Sequence, residues 1–465
     1  MDTLMVLGSV LTLSSGLGLA LSVGSHRSKS VALPSIALGS IALLSFLALA
    51  LYMALDGRIV EISVLRLEMG CDYVSLLIVL NIVVLGIASL VASYGYCQIV
   101  DEYGYGPYYT LLLVFALSMA LIPLVRNWLW FLLAFEIMTL ASYFLVGYEY
   151  RDRRVARIAW MYFITMHIFC TLPLIVAVGM VYGYANTLSF VKARIPDVAL
   201  ALFLLGFAAK SGLFPLHFWL PDAHPVAPTP VSALLSGAMV EIGVYGMYRV
   251  LELYGPAPPW ITNLMIVLAV LSTLIAVASY PRQSDVKKLF AWSTIDNVGW
   301  MYLCLALGFG GSTLATYILN HGLAKAAAFL SAGLMLYVFG TRDLRKLSGC
   351  FAIDRFATTL MVLSIFALEG VPPFNFFWSR IDVVSRALNT SPFIGILYVV
   401  LWTLAFVSFL NVVHKLIEVK RGEEQVSKVR NVSLSIVFSV LILLALLLVS
   451  NYLCESMRLA MGVRP

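Results

Sequence analysis

Charge is what this chain has least of. Lys, Arg, Asp and Glu supply 12% of its 465 residues while 61% are hydrophobic, and a soluble domain carries about twice that share of charge. A soluble enzyme or a nucleic-acid-binding domain is thereby excluded, and the net charge of +6 belongs to loops. The six cysteines (Cys71, Cys97, Cys170, Cys304, Cys350, Cys454) stand singly, without the paired spacing that iron–sulfur, zinc or haem sites need. Lone cysteines in apolar helices are small packing residues. No phosphate loop, dinucleotide fingerprint or nucleophile elbow is present. The chain is expected to hold no cofactor and no metal, and to carry no electrons itself. A basic flank before the first apolar stretch is also missing, so residues 1–22 read as a membrane span rather than a cleaved leader.

Apolar runs of about 20 residues, the length of a transmembrane helix, follow one another almost end to end, and mean hydropathy is +0.95. An all-α polytopic membrane protein follows. Hydropathy and helix breakers predict fourteen spans, near 3–23, 32–54, 73–93, 108–125, 127–147, 156–182, 198–219, 229–251, 262–280, 289–308, 312–338, 356–390, 393–417 and 431–453. Pro215 interrupts the seventh and Pro372-Pro373 the twelfth. Basic residues check the count. Arg27 and Lys29 lie in the first loop, Arg151, Arg153, Arg154 and Arg157 in the fifth, and Arg282, Lys287 and Lys288 in the ninth. Arg342, Arg345, Lys346 and Arg355 fall in the eleventh loop, and Lys415, Lys420, Arg421, Lys428 and Arg430 in the thirteenth. Those odd loops hold 18 of the 30 basic residues, so they are expected on the cytoplasmic side of the cell membrane, with both termini outside.

The two broken spans lie five apart, and their preceding neighbours echo each other, Tyr162-Phe-Ile-Thr-Met-His167 against Tyr317-Ile-Leu-Asn-His321. An odd offset reverses orientation, so two inverted five-helix repeats are expected. The divisions are 1–107 (spans one to three), 108–251 (four to eight), 262–417 (nine to thirteen) and 431–465 (fourteen).

Charged residues inside the apolar runs cost roughly 2.5–3.5 kcal/mol each on insertion scales, so they are paired, neutralised or functional. Lys210 ends the run from Val198, five residues before Pro215. A titratable amine beside a helix break, where freed backbone dipoles and water reach inward, is what an ion or proton path needs. Glu136, in the middle of the fifth span, is its candidate partner, within reach directly or through one or two waters. His321 and Lys325 are four apart on the eleventh span and share a helix face, a plausible proton relay. Packing and function are equally open for His167, and His217 and His224 read as holding a proline-rich turn.

Gly206-Phe-Ala-Ala-Lys-Ser-Gly-Leu-Phe-Pro-Leu-His-Phe-Trp-Leu-Pro-Asp-Ala-His-Pro225, followed by Ala227-Pro-Thr-Pro-Val-Ser-Ala-Leu-Leu-Ser-Gly-Ala-Met239, resembles the signature of a known family. It comprises the antiporter-like membrane subunits shared by respiratory complex I, Mrp-type cation/proton antiporters and membrane-bound, formate-hydrogenlyase-like hydrogenases. Asn320-His-Gly-Leu-Ala-Lys-Ala-Ala-Ala-Phe-Leu330, Val371-Pro-Pro-Phe-Asn375 and Asp72-Tyr-Val-Ser-Leu76 resemble further motifs of that family, and the likeness runs from about residue 70 to 415. The resemblance implies fourteen helices with a polar axis in the membrane plane, carrying Glu136, Lys210, His321 and Lys325. Two positions depart. Glu241 stands on the eighth span where the family usually has a lysine, and Ser379-Arg380 where a lysine or glutamate is usual after the second break. Arginine stays charged at physiological pH, so Arg380 is expected to be a fixed charge or gate. Glu369 is an extra carboxylate that can pair with it or stand in as carrier.

The expected function is thus proton or sodium translocation by a subunit of a redox-driven complex, with iron–sulfur or nickel–iron centres only in partner subunits. Its implied partners are other membrane subunits, peripheral redox subunits, the bilayer, and H+ or Na+. With no extension after the fourteenth span, the long subunit with a lateral helix is not expected. A stand-alone Mrp-type antiporter subunit and a non-conducting scaffold are the alternatives.

Overall fold

The structure, a computed structural model, describes residues 8, 11, 14–17, 29–57, 59–62, 67–99, 104–418 and 427–463. The expected first span lies largely outside the described residues, as do Arg27, Lys420 and Arg421.

Each remaining expected span coincides with a helix or a pair of helices. In chain order these are α1 (Ala32–Asp56), α2 (Tyr73–Tyr96), α3 (Tyr105–Leu121), α4 (Trp128–Val146), α5 (Arg153–Ala185), α6 (Asp197–Ser211), α7 (Leu220–Val226) and α8 (Thr229–Tyr254). There follow α9 (Pro259–Ser279), α10 (Val286–Ala306), α11 (Gly311–Phe339), α12 (Arg355–Leu368), α13 (Phe376–Thr390), α14 (Pro392–Ile417) and α15 (Leu434–Ala460). Among the described residues nine helices are long and apolar enough to cross a membrane, and the chain is a multi-span membrane protein. One feature departs from an all-helical reading: β1 (Val60–Ile62) and β2 (Leu67–Met69) form an antiparallel hairpin between α1 and α2, with Val60 opposite Met69.

Local chemistry sets the helix ends. Asp72, Asn127, Asp285 and Asp354 each accept a backbone N–H in the first turn of α2, α4, α10 and α12, supplying acceptors for donors that the helix leaves free. The two broken spans use one device. Gly212 (φ 72°) closes α6 three residues before Pro215, and Gly370 (φ 67°) closes α12 two residues before Pro372. A left-handed residue ends the helix, and the proline that follows cannot restart it. Two helices carry π-helical stretches, α5 at Met166–Thr171 and α8 at Leu235–Met239, and such bulges gather at functional positions.

The core is built from α2, α8 and α11, whose membrane segments are almost wholly buried, while α9 and α14 lie outside. Glycine permits the closest approach. A Cβ on Gly237 of α8 would lie 2.8 Å from the Gly322 carbonyl of α11, and one on Gly322 would lie 2.6 Å from the Gly237 carbonyl. Asn81 of α2 seals the joint by donating to Gly237 O at 2.7 Å. Small residues allow such backbone contact where no hydrophobic force pulls helices together.

At one end of α2, Asp72 accepts from Arg126 Nη2 at 3.2 Å and from Arg249 Nη2, tying the α3–α4 turn and α8 to α2. Burial alone would raise the carboxyl pKa of Asp72, but the guanidiniums of Arg249 and Arg126 and the Ser75 N–H outweigh it and hold it below the usual range. Its contribution is therefore present above the ordinary carboxylate pKa and is lost as pH falls through the folded value.

Two outcomes are expected. Gly322→Leu should cost about 1–3 kcal/mol or more, as overpacking does, seen as a lower unfolding temperature in detergent. Asp72→Asn should lower the unfolding temperature at neutral pH. That deficit should shrink as the pH of the melt falls from about 4, where the unfolded carboxyl takes up a proton, through the lower folded value.

Candidate functional site

Buried polar side chains gather in four groups that run from the first break to the second. At the first, Lys210 on the last turn of α6 is fully buried, and its Nζ donates to Thr139 Oγ1 at 2.8 Å and lies over the Phe135 ring. Glu136 lies one turn before Thr139 on α4. Its Oε1 accepts from Thr171, and its Oε2 is 3.4 Å from His167 Nε2. Among the described residues no direct ion pair joins Glu136 and Lys210. Thr139 takes the ammonium, and the π-helical stretch of α5 brings His167 and Thr171 to the carboxylate. Glu136 is also less enclosed than a mid-span carboxylate suggests, its side chain being 27% exposed.

The second group lies against the glycine joint. Glu241 of α8 accepts from Asn81 Nδ2 at 2.6 Å, and its Oε1 is 2.7 Å from Nδ1 of His321 on α11. His321 therefore engages Glu241, and its Nε2 is left without a hydrogen-bond partner. The reversed charge at residue 241 is thus built into a carboxylate–imidazole pair whose members are at most 1% exposed.

Lys325, one turn further along α11, forms the third group. It donates to Phe290 O at 2.8 Å and to Ser293 Oγ of α10. Its partners are a carbonyl and a hydroxyl, and among the described residues no hydrogen bond joins it to the imidazole with which it shares a helix face.

The fourth group surrounds Arg380, one turn into α13. Arg380 Nη2 donates to Asn297 Oδ1 at 3.2 Å and to Leu368 O at 3.4 Å. Trp300, Phe376 and Trp402 present their rings 5.0–5.4 Å from its guanidinium carbon, an aromatic cage suited to a planar cation. Glu369 Oε2 lies 3.9 Å from Arg380 Nη1. Asp296 of α10 completes the group, accepting from Tyr280 OH at 3.1 Å and from Trp300 Nε1 at 3.2 Å.

Sequence reading missed several members. Asp296, Asn297 and Asn81 sit in apolar helices without a motif to mark them, although an acid inside the run 289–308 was itself a signal. Lys287 belongs with them. Counted by sequence as a cytoplasmic loop charge, it is fully buried on the first turn of α10 and donates to Ala227 O, because α10 begins earlier than hydropathy indicates. His224 is fully buried and stacked on Phe329 at 4.9 Å, with no hydrogen bond at either ring nitrogen, and it bonds at the turn through its carbonyl, which accepts from Ser232 Oγ at 3.0 Å.

This arrangement of interrupted helices and buried acid–base pairs defines a class, the antiporter-like membrane subunits. The sequence model for the NADH:quinone oxidoreductase/Mrp antiporter membrane family matches residues 125–406, and the chain belongs to that family. It is 33% identical over 289 residues to hydrogenase-4 component B of Escherichia coli (57% of this chain, 43% of that protein). It is 30% identical over 278 residues to a Na(+)/H(+) antiporter subunit of Alkalihalophilus pseudofirmus (56% and 55%). The match thus spans about half the length of these curated relatives. Among solved structures, the archaeal membrane-bound sulfane sulfur reductase contains a chain of the same fold, with TM-score 0.85 and 22% identity, covering 99% of this chain and 96% of that one. The Mrp complex of Dietzia sp. DQ12-45-1b contains another, with TM-score 0.82 and 20% identity, covering 98% and 97%.

Removing Glu241 tests the second group. Glu241→Leu strands Asn81 and His321 in an apolar interior and should cost about 3–5 kcal/mol, the usual penalty for breaking a buried pair. Glu241→Gln, which keeps an acceptor, should cost clearly less. Thermal unfolding of the two purified variants measures the difference.

Proposed function

We propose that this chain is an ion-translocating subunit of a multi-subunit, redox-driven membrane complex, and that protons or sodium ions pass along the four polar groups. Supporting this reading is the sequence of titratable side chains, the half-buried Glu136 and the buried Lys210, Glu241, His321, Lys325 and Glu369, with the fixed charge of Arg380, placed at and between two helix breaks. A structural interior needs none of these groups, and each must be compensated at a cost in desolvation. In this reading the chain has fourteen spans with both termini outside the cell membrane. Residues 108–251 and 262–417 form two inverted repeats around α6–α7 and α12–α13, flanked by 1–107 and 431–465. Electron-carrying centres, iron–sulfur or nickel–iron, reside in peripheral partner subunits, and this chain holds no cofactor.

The kinship with a hydrogenase component and with a sulfane sulfur reductase chain supports a redox-driven setting. The antiporter relative and the Mrp fold neighbour support a second reading, a subunit of a stand-alone Na+/H+ antiporter. Mass spectrometry of the proteins that co-purify with this chain discriminates between them, since redox subunits accompany it only in the first.

Lys210→Ala carries the functional test. The α6–α7 break and its packing remain, so assembly should be unchanged. Losing the ammonium should reduce ion translocation by about a hundredfold, the usual scale for removing a proton-transferring group. The measurement is the pH or sodium gradient formed by the complex in sealed vesicles. An undiminished gradient would mean that the chain is a scaffold.

A further inference from the structure

The outer face of α5 changes chemistry in order along its first turns. Arg153 and Arg157, one turn apart at its start, are exposed, and among the described residues neither side chain forms an ion pair or a hydrogen bond. Trp160 follows at the next turn and Ile164 after it, both exposed. Spaced three or four residues apart, these side chains share one helix face. Residues 149–157 carry four arginines against Glu149 and Asp152, so the patch is positive. Asp152 is engaged in capping α5, accepting from Arg154 N at 2.7 Å.

A notch of about 500 Å³ opens beside that face, where α3 begins, α4 ends and α5 begins, and hence at one end of the bundle. Small residues make the room. Ala156 lines it, and a Cβ on Gly147, which closes α4, would lie 3.0 Å from that of Ala159. Leu111 of α3 and Phe144 of α4 give it apolar walls. Tyr143 and Trp160 form its aromatic side, their ring centroids 6.1 Å apart, and Phe163 packs against both at 4.9 and 5.6 Å. Among the described residues neither the Tyr143 hydroxyl nor the Trp160 indole N–H has a hydrogen-bond partner. The volume lies within the roughly 300–1,000 Å³ of small-molecule sites, and helix ends are the depth at which tyrosine and tryptophan gather in membranes.

From the helix end inward the order is therefore cations, hydrogen-bond donors carried on aromatic rings, and hydrocarbon. A phospholipid presents the complement in the same order: a phosphate, the oxygens that link glycerol to its chains, and the chains. We propose that this corner of the protein binds one anionic glycerophospholipid. Its phosphate lies between Arg153 and Arg157, its glycerol-linked oxygens accept from Tyr143 and Trp160, and one chain fills the notch between α3, α4 and α5. A guanidinium suits the phosphate because its planar fork bonds two oxygens at once. The orientation proposed above puts this end at the cytoplasmic leaflet, which is the anionic one. A neighbouring subunit fits less well, since it would have to bring carboxylates to both arginines and an apolar side chain to the notch together. The bound lipid braces α4 against α5, the two helices that carry Glu136 and His167, and it does so whether or not ions cross the chain.

The test uses the assembled complex, stripped of lipid by detergent exchange. Dioleoylphosphatidylglycerol should raise its unfolding temperature at concentrations where dioleoylphosphatidylcholine and inorganic phosphate do not. Arg153→Gln/Arg157→Gln should weaken that effect about tenfold or more in lipid concentration, the scale for removing two basic residues from an anionic surface. Ala156→Leu, which fills the notch and keeps both cations, should weaken it as well. An equal effect of phosphatidylcholine would reduce the site to unselective lipid contact and overturn the proposal. An equal effect of inorganic phosphate, or indifference to Ala156→Leu, would make it an anion site without a chain and overturn it too. So would loss of a neighbouring subunit from the double variant with lipid binding unchanged, which would assign the corner to a protein partner. Where a variant fails to assemble, the wild type decides. A phosphatidylglycerol with a photoactivatable diazirine on its chain should crosslink this chain within 107–111 or 143–160, and labelling confined to other segments would overturn the assignment.

Discussion

An ionised group enclosed by hydrocarbon side chains must find a countercharge or give up its charge, and this constraint organises the interior. It explains why acids and bases occur here in close company. Glu136 lies by His167, Glu241 by His321, Glu369 by Arg380, and Lys210 and Lys325 rest on hydroxyls. It also explains the breaks. A continuous α-helix uses up its own backbone polar groups, whereas a helix that stops at Gly212 or Gly370 leaves carbonyls such as Leu368 O free to solvate a cation. The chain opens two helices where it needs polarity that side chains alone cannot supply.

The two halves answer this demand differently. At the first break the cation is a lysine resting on Thr139, and the carboxylate of Glu136 is held separately by Thr171 and His167. At the second, the guanidinium is locked between three aromatic rings and cannot release its proton. Its buried neighbours of opposite sign are Glu369 and Asp296. Compensation of buried charge requires alternating sign more than any one residue type, so a charge reversal at residue 241 and a permanent cation at residue 380 can coexist in one interior.

Much of the fold was legible because each of its signals is local. Runs of apolar residues, a proline inside a run and basic residues between runs located the helices from Ala32 onward and both interruptions. Lys210, Glu136, Glu241, His321, Lys325, Glu369 and Arg380 stood out because charge is rare in such runs. Their partners were not legible, because pairing depends on rotation about helix axes. The π-helical stretch at Met166–Thr171, which no composition announces, turns His167 and Thr171 towards Glu136. Asp296 was passed over since Trp300, the donor that makes it affordable, lies one turn away in an otherwise ordinary apolar helix. Lys287 was misplaced because positive charge near a helix start reads as loop. The hairpin at Val60–Met69 is too short for any periodicity to declare.

The glycine contact between α8 and α11 has a mechanical consequence. Alternating access by rocking one half against the other requires an interface of side chains that can slide and repack. Here the two central helices meet backbone to backbone at Gly237 and Gly322, with Asn81 of α2 bonded to Gly237, Glu241 one turn along α8 and His321 next to Gly322. At that contact the backbones touch directly, and sliding there would disturb the bonds of Asn81, Glu241 and His321. The joint behaves as a weld and not as a bearing. At this contact the scaffold is built to stay still.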